Sequence, residues 1–323
     1  MIFITGYSLR APKSKNAYAF YKNLENKNDM TSPSKRYPEK YKDLPPRTGT
    51  LDQIDKFDHS FFNLGIKQVD KTDIILRLTL EVVQESLMDA NLNIQSLRGS
   101  KTGVYSGHCF SDYLGQASRD KNLNGYELVN GAHAMVSNRI SYHYDFKGPS
   151  VVFDTACSSS AVALHHARQD ILSGCIDRAV VIGASLTLDP AKNGIFKAFS
   201  MLSPDGICYS FDDRANGYCR SEAIVAIVLE SKRVASFGYS ILAGTSVNSD
   251  GYTTKGITYP SSEAQMRNMG NALKSANLNP SEISYIEAHG TGTVAGDQEE
   301  LKGLEGIFGS ANKCIPIGSV KSC

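Results

Sequence analysis

An α/β protein is predicted, and three features of the chain predict it. Short β-rich runs alternate with segments of helical period along the whole length. Those elements fall into two α/β halves, 1–235 and 236–323, alike in architecture and without sequence identity. A buried-strand run, Val151-Val152-Phe153, meets a small-residue turn carrying one cysteine and then a helix.

In chain order, Met1–Gly6 is read as a strand and Ala17–Leu24 as a helix. Asp29 to Thr50, rich in Pro, Lys and Tyr with little periodicity, is read as an extended surface segment. Asp73 to Ala90 is the clearest amphipathic helix, followed by strand Thr102–Ser106 and helix Leu128–Arg139. Strands Val151–Thr155, Arg178–Gly183 and Ala223–Glu230 complete the first half. The second half is predicted as strand Tyr239–Ser246, helix Ser262–Ala276, strand Ile283–Ala288, helix Gln298–Ile307 and strand Ile315–Val320. Because the chain stops at Cys323 just after a strand pattern, the expectation is an incomplete second half. No repeat of fixed short period and no low-complexity tract interrupts this order.

Composition excludes several classes. Over 323 residues, 41% are apolar and 21% charged, as in an ordinary globular chain of two core-bearing halves or one large unit. A net charge of +1 supplies no field for nucleic acid or a membrane surface. Lys13, Lys15, Lys22, Lys27, Lys35, Arg36, Lys40, Lys42 and Arg47 make the N-terminal fifth basic, but Glu25, Asp29, Glu39 and Asp43 interrupt them, so a solvated face is expected. Seven scattered cysteines, an odd number without close pairs, read as reduced thiols of a cytoplasmic protein. The N-terminal apolar run is too short for a signal peptide. The longest clean run, Ala223 to Leu229, is seven residues, far below the ~20 that cross a bilayer.

The candidate nucleophile is Cys157, within Asp154-Thr155-Ala156-Cys157-Ser158-Ser159-Ser160. A thiol at a helix start faces unpaired N–H groups and the positive end of the dipole, which favour thiolate. Ala161, Val162, Leu164, Ala167, Ile171 and Leu172 recur at helical spacing and Gly174 ends the run. A second motif, Tyr285-Ile286-Glu287-Ala288-His289-Gly290-Thr291-Gly292-Thr293, places one histidine at the carboxyl end of a strand, the edge where open α/β sheets bind ligands. Its glycines allow close backbone approach, and its threonine hydroxyls can donate to an amide or carbonyl. Gly318-Ser319-Val320-Lys321 ends another strand with a lysine. His165 and His166, about 100° apart on a helix, do not share one site with Asp170. Asp212, Asp213 and Glu222 have no histidine at ligand spacing, so no metal is expected. No phosphate-cradling glycine motif is present, so no nucleotide cofactor is expected either.

Together these motifs resemble the ketosynthase domain of animal-type fatty acid synthases and their polyketide-synthase relatives, the β-ketoacyl synthases. The resemblance runs over nearly the whole chain. It includes Tyr41-Lys42-Asp43-Leu44-Pro45-Pro46-Arg47, Phe57-Asp58 with Phe61-Phe62, Phe146-Lys147-Gly148-Pro149-Ser150, the Cys157 motif, Met201-Leu202-Ser203-Pro204-Asp205-Gly206, Gly217-Tyr218-Cys219-Arg220-Ser221-Glu222-Ala223, the His289 motif and the lysine motif. It implies the thiolase fold, two related α/β halves in five α-β-α-β-α layers, as a homodimer when the domain is complete.

The resemblance also implies the chemistry. Cys157 takes an acyl chain from acyl carrier protein or another thioester. His289 binds the carbonyl of a malonyl thioester and promotes its decarboxylation. Thr291 and Thr293 touch the phosphopantetheine arm that carries the substrates, Lys321 orders the site, and the domain itself holds no cofactor. A thiolate is a good nucleophile and leaving group, and a neutral imidazole N–H can stabilise an enolate oxygen. Two departures stand out. The family motif continues past the lysine to Asn-Ile-Gly-His, and a later Gly-Phe-Gly loop follows, whereas this chain stops at Cys323. Asp73 lacks the usual Pro-Gln after it. A chain lacking the second histidine is expected not to condense. Two alternatives remain open: a silent scaffold that docks carrier protein, and a cysteine hydrolase using Cys157 and His289, which needs an orienting Asn or Asp.

Overall fold

The computed structural model describes all residues except 34, 35, 37–40, 42, 118–122, 311 and 312. Lys35, Lys40, Lys42 and Glu39, part of the basic segment read above, lie outside the described residues. In chain order the elements run β1 (Ile2–Arg10), α1 (Ala17–Glu25), β2 (Ser32–Pro33), β3 (Arg47–Thr48), α2 (Ile66–Val69), α3 (Ile74–Asp89) and α4 (Ile94–Leu97). Next come β4 (Thr102–Gly107), α5 (Tyr113–Ala117), α6 (Tyr126–Gly131), α7 (Met135–Tyr144), β5 (Ser150–Phe153), α8 (Ser159–Leu172), β6 (Arg178–Ser185) and α9 (Pro190–Ala198). The last are β7 (Ala223–Ser231), β8 (Ser240–Ile241), α10 (Ser262–Ala276), β9 (Ile286–Glu287), α11 (Val294–Phe308) and β10 (Ile317–Gly318). No described helix is long and apolar enough to cross a membrane.

Packing divides the chain into two units, each assembled from three stretches. The first comprises 1–26, 50–188 and 221–242, around a six-stranded mixed sheet ordered β5-β4-β6-β7-β1-β8. β4 pairs in parallel with β5 and β6, while β7 runs antiparallel to β6 and β1. Alternate residues feed two cores, as the two-residue strand period requires. Val104, Val180, Ile182, Ile224, Ala226 and Val228 pack with α3 and α7. Tyr105, Ala179, Val181 and Leu229 pack with Ala163, Ala167 and Ile171 of α8. Tyr105 also ties α8 to β4, its hydroxyl donating to Asp170 at 2.5 Å.

Helix α3 forms as its sequence dictates. Asp73 caps it, accepting from the Ile75 N–H at 2.9 Å, and Ile75, Leu76, Leu80, Val83 and Leu87 are buried. The missing Pro-Gln therefore leaves the cap in place. Burial raises the pKa of the Asp73 carboxyl, against the hydrogen bonds from Ile75 and Ser111.

The second unit comprises 27–49, 189–220 and 243–323. β10 lies parallel to β9, and α10 packs on α11. In the segment 29–50, β2 and β3 pair antiparallel, and Arg47 forms an ion pair with Asp29.

Four expectations need correction. The helix predicted over 128–139 is two helices, because Ala132 turns extended (ψ 141). Gly131 sits there under the Tyr113 ring, which a Cβ would meet at 2.1 Å, and His133 Nε2 accepts the Ser111 N–H at 3.1 Å. The strand predicted over 239–246 contracts to β8, which belongs to the first unit's sheet. Its partner β1 begins at Ile2, and the Leu242 N–H donates to the Ile2 carbonyl at 3.0 Å, at the start of that strand. Strand 283–288 contracts to β9. Strand 315–320 contracts to β10, because Glu287 takes the Val320 N–H at 2.7 Å and turns the chain into a 3₁₀ turn, Val320–Ser322.

Candidate active site

Cys157 lies in a 3₁₀ turn, Ala156–Ser158, between β5 and α8 in the first unit. The turn is tight. Ala156 has φ +53°, a left-handed conformation costing a residue with a Cβ about 1–2 kcal/mol. Its neighbours hold it there. The Ser159 hydroxyl accepts the Thr155 N–H at 2.9 Å and donates to the Ala156 carbonyl at 2.7 Å. Ser158 Oγ donates to the Thr155 carbonyl at 2.9 Å, and Asp154 accepts the Ala156 N–H at 3.3 Å. The polar residues around the cysteine thus build the turn, and the Cys157 residue is left exposed. On the sheet side, Gly107 ends β4 where a Cβ would meet the Ser160 nitrogen at 2.2 Å. Only glycine lets the start of α8 approach so closely.

His289 follows β9 in the second unit, and helix α11 holds its loop. Glu300 accepts the N–H groups of His289 at 2.7 Å and Gly290 at 2.8 Å, one on each oxygen. Asp297 accepts from Gly292 at 3.1 Å and from Phe211 at 2.7 Å. Ser210 Oγ donates to the Gly290 carbonyl at 2.5 Å, and Ser319 Oγ donates to the His289 carbonyl at 3.2 Å. Gly290 (φ +47°) and Gly292 (φ +74°) adopt the left-handed region these closures require.

The surrounding protein pushes the His289 imidazole below its ordinary pKa, and the Lys321 ammonium adds to that effect. Glu300 and Asp297 pull the other way. The residue remains open to solvent on its outer side. Lys321 sits in the 3₁₀ turn after β10, and Ser319 Oγ accepts its backbone N–H at 3.4 Å. Thr291 and Thr293 lie within hydrogen-bond distance of each other, their hydroxyls 3.0 Å apart. When one donates to the other, the acceptor's own proton stays available to a ligand.

The structure therefore gathers His289, Lys321, Thr291 and Thr293 in the second unit, while Cys157 belongs to the first. Asp297 and Glu300 were not singled out from the sequence. The available signal is two acids three residues apart, on one helix face just after a glycine loop.

Other candidates have structural roles. His165 and His166 stand edge to face at 5.6 Å, and His166 stacks on Phe153 at 4.7 Å. Asp212 is paired with Arg214 at 2.9 Å. Buried Glu222 accepts the N–H groups of Leu51 at 2.8 Å and Thr187 at 2.9 Å. Among the described residues no three His, Cys, Asp or Glu side chains cluster as metal ligands would. Burial pushes the Cys208 thiol up, and the Cys219 thiol up to about 12.

Cys157, one of three exposed cysteines, sits at a strained strand-to-helix turn of an α/β protein. Comparison with known proteins makes the class specific. Residues 1–235 match the β-ketoacyl synthase N-terminal domain, and residues 239–323 match its C-terminal domain. The chain belongs to the β-ketoacyl synthase family. It is 41% identical over 324 residues to a fatty acid synthase of Anser anser anser, covering 99% of this chain and 92% of that sequence. It is 42% identical over 271 residues to the lovastatin diketide synthase lovF of Aspergillus terreus, covering 82% of this chain and 11% of that protein. Among solved structures, the ketosynthase from module 6 of the bacillaene synthase of Bacillus subtilis 168 superposes with a TM-score of 0.91 at 36% identity. That match covers 99% of this chain and 57% of the solved one. The fold is the thiolase fold of these ketosynthases.

Proposed function

We propose that this chain provides part of the condensing machinery of a β-ketoacyl synthase, with Cys157 as the acyl-accepting nucleophile and the second histidine of the family mechanism outside these residues. The observation that carries the reading is the turn around Cys157, where hydroxyls and backbone strain are committed to presenting one exposed thiol at the start of α8. The thiolate attacks the carbonyl of an acyl thioester and expels the carrier thiol. A malonyl thioester then loses carbon dioxide, and its enolate carbon attacks the Cys157 thioester carbonyl, releasing the cysteine sulfur.

His289 serves the second substrate. Its lowered pKa keeps the ring neutral, so one N–H can donate to the enolate oxygen. Lys321 contributes to that neutrality. The paired hydroxyls of Thr291 and Thr293 suit the amides of a phosphopantetheine arm, so substrates arrive on acyl carrier protein and the domain needs no cofactor of its own. A homodimer is part of this reading. Strand β5 lies at the end of the sheet order, and Val151 on it is exposed, as a strand awaiting a second copy would be. The location fitting this function is the cytoplasm.

The test is acyl transfer. The chain is incubated with octanoyl-coenzyme A, and the acylated peptide is located by mass spectrometry. Acylation of Cys157, lost in Cys157→Ser, is expected. Acylation spread over Cys175 and Cys314 at equal rates would overturn the assignment.

A further inference from the structure

The first unit carries a cavity of about 330 Å³ that the chemistry above does not use. Tyr7, Ser8, Asn16, Tyr18, Glu85 and Asp89 line it. The volume lies at the lower end of the range for small-ligand sites. Its chemistry combines aromatic faces with fixed negative charge. Tyr7 is 40% and Tyr18 70% exposed. Tyr239 meets Tyr7 edge to face at 4.9 Å, and Phe237 meets Tyr239 at 5.8 Å, so the aromatic wall continues past the cavity.

The two carboxylates differ. Glu85 is neutralised by Arg10 and accepts from Ser8 Oγ at 2.6 Å. Asp89 is held by neutral donors, the Tyr7 N–H at 2.9 Å and the Tyr239 hydroxyl at 3.1 Å. It makes no ion pair among the described residues, and each of its oxygens keeps a lone pair. Rings of α1 already attract an ammonium: Lys22 Nζ lies 5.9 Å from the centre of the Tyr18 ring and 5.5 Å from that of Tyr21, while pairing with Glu25 at 2.6 Å.

We propose that this cavity binds an alkylammonium ion, with Asp89 as counter-ion and the Tyr7 and Tyr18 rings as cation–π faces. Anions are disfavoured by the Asp89 carboxylate, which has no ion-pair partner among the described residues. A neutral ligand of the same shape gains the apolar contact without the charge attraction. The cation can come from a free alkylammonium ion or from a lysine side chain, which share this chemistry.

The test is saturation-transfer NMR titration of the chain with choline, with its neutral carbon isostere 3,3-dimethyl-1-butanol, and with the peptide Gly-Gly-Lys-Gly-Gly. Choline or the peptide is expected to bind several-fold more tightly than the isostere. Asp89→Asn and Tyr18→Leu are each expected to weaken binding about two- to fivefold. Tyr18→Leu guards against a folding artefact, because Tyr18 is exposed whereas Asp89 anchors Tyr7 and Tyr239. Tighter binding of the peptide assigns the source as a lysine side chain, and tighter binding of choline assigns a free quaternary ammonium ion; both uphold the site. Affinity for choline and for the peptide no greater than for the isostere, or unchanged affinity of the tighter-binding cation in both variants, overturns it.

Discussion

The Glu300 carboxylate grips the backbone at His289, accepting its N–H at 2.7 Å, and takes the next N–H, that of Gly290, on its other oxygen. A side chain on α11 thereby fixes where the imidazole begins. In Glu300→Gln, one of the two acceptors becomes an NH₂ group facing an N–H donor. Loss of a charge-assisted hydrogen bond of about 1.5–3 kcal/mol predicts a roughly tenfold to hundredfold fall in malonyl-thioester decarboxylation. Acylation of Cys157 should change little, and the two steps are followed separately by carbon dioxide release and mass spectrometry.

Lys321→Met should raise the His289 pKa. The ammonium disfavours imidazolium, so its removal lets the ring protonate at higher pH. Desolvation remains and keeps the value from recovering fully. The imidazole C2–H shift followed through an NMR pH titration reads the change directly, and a midpoint unmoved or moved down would contradict the coupling.

Cysteine reactivity should follow the turn geometry. Brief iodoacetamide treatment is expected to label Cys157 first and Cys208 and Cys219 last, since burial raises both of the latter thiols. Cys175 and Cys314 are exposed as well, so they separate exposure from placement at a helix start. Equal rates at Cys175 and Cys157 would count against a specially presented nucleophile.

Ala156→Gly relieves a left-handed residue that carries a Cβ, and is predicted to stabilise the fold by about 1 kcal/mol. The same change loosens the turn ahead of Cys157, so acylation should slow. Thermal unfolding and the acylation rate should therefore move in opposite senses.

Acid should weaken the fold partly through His143. Burial first, then Arg98 and Arg139, hold its pKa below the ordinary value. The unfolded chain therefore takes up the proton first as pH falls through about 6.5, and stability is lost from there down to the folded-state pKa. His143→Gln should flatten the difference between urea midpoints at pH 7.5 and pH 5.5.

Long periodic elements were legible from the residues alone. The apolar spacing of α3 and the Asp73 ahead of it are local, and α10 begins at Ser262 as its pattern predicts. The short strands were not legible, because their length depends on a partner: β8 ends where β1 runs out, and β10 ends where Glu287 intervenes. The break at Ala132 depends on Tyr113 and Ser111, which no helical period contains. Cys157 stood out because small hydroxylated residues surround it. Asp297 and Glu300 did not, since acids early in a helix read equally well as solvated surface until the loop they grip is seen.

The antiparallel pairing of β1 with β7 sets an order on the birth of the fold. Ile2 aligns with Ser231 and Arg10 with Ile224, so β1 cannot pair with β7 until the chain beyond Ala223 has left the ribosome. Until then Ile2 and Ile4 lack the β7 strand that covers their edge. Loop closure over that span is slow, and a chaperone that shields this strand during translation would have the most to contribute here.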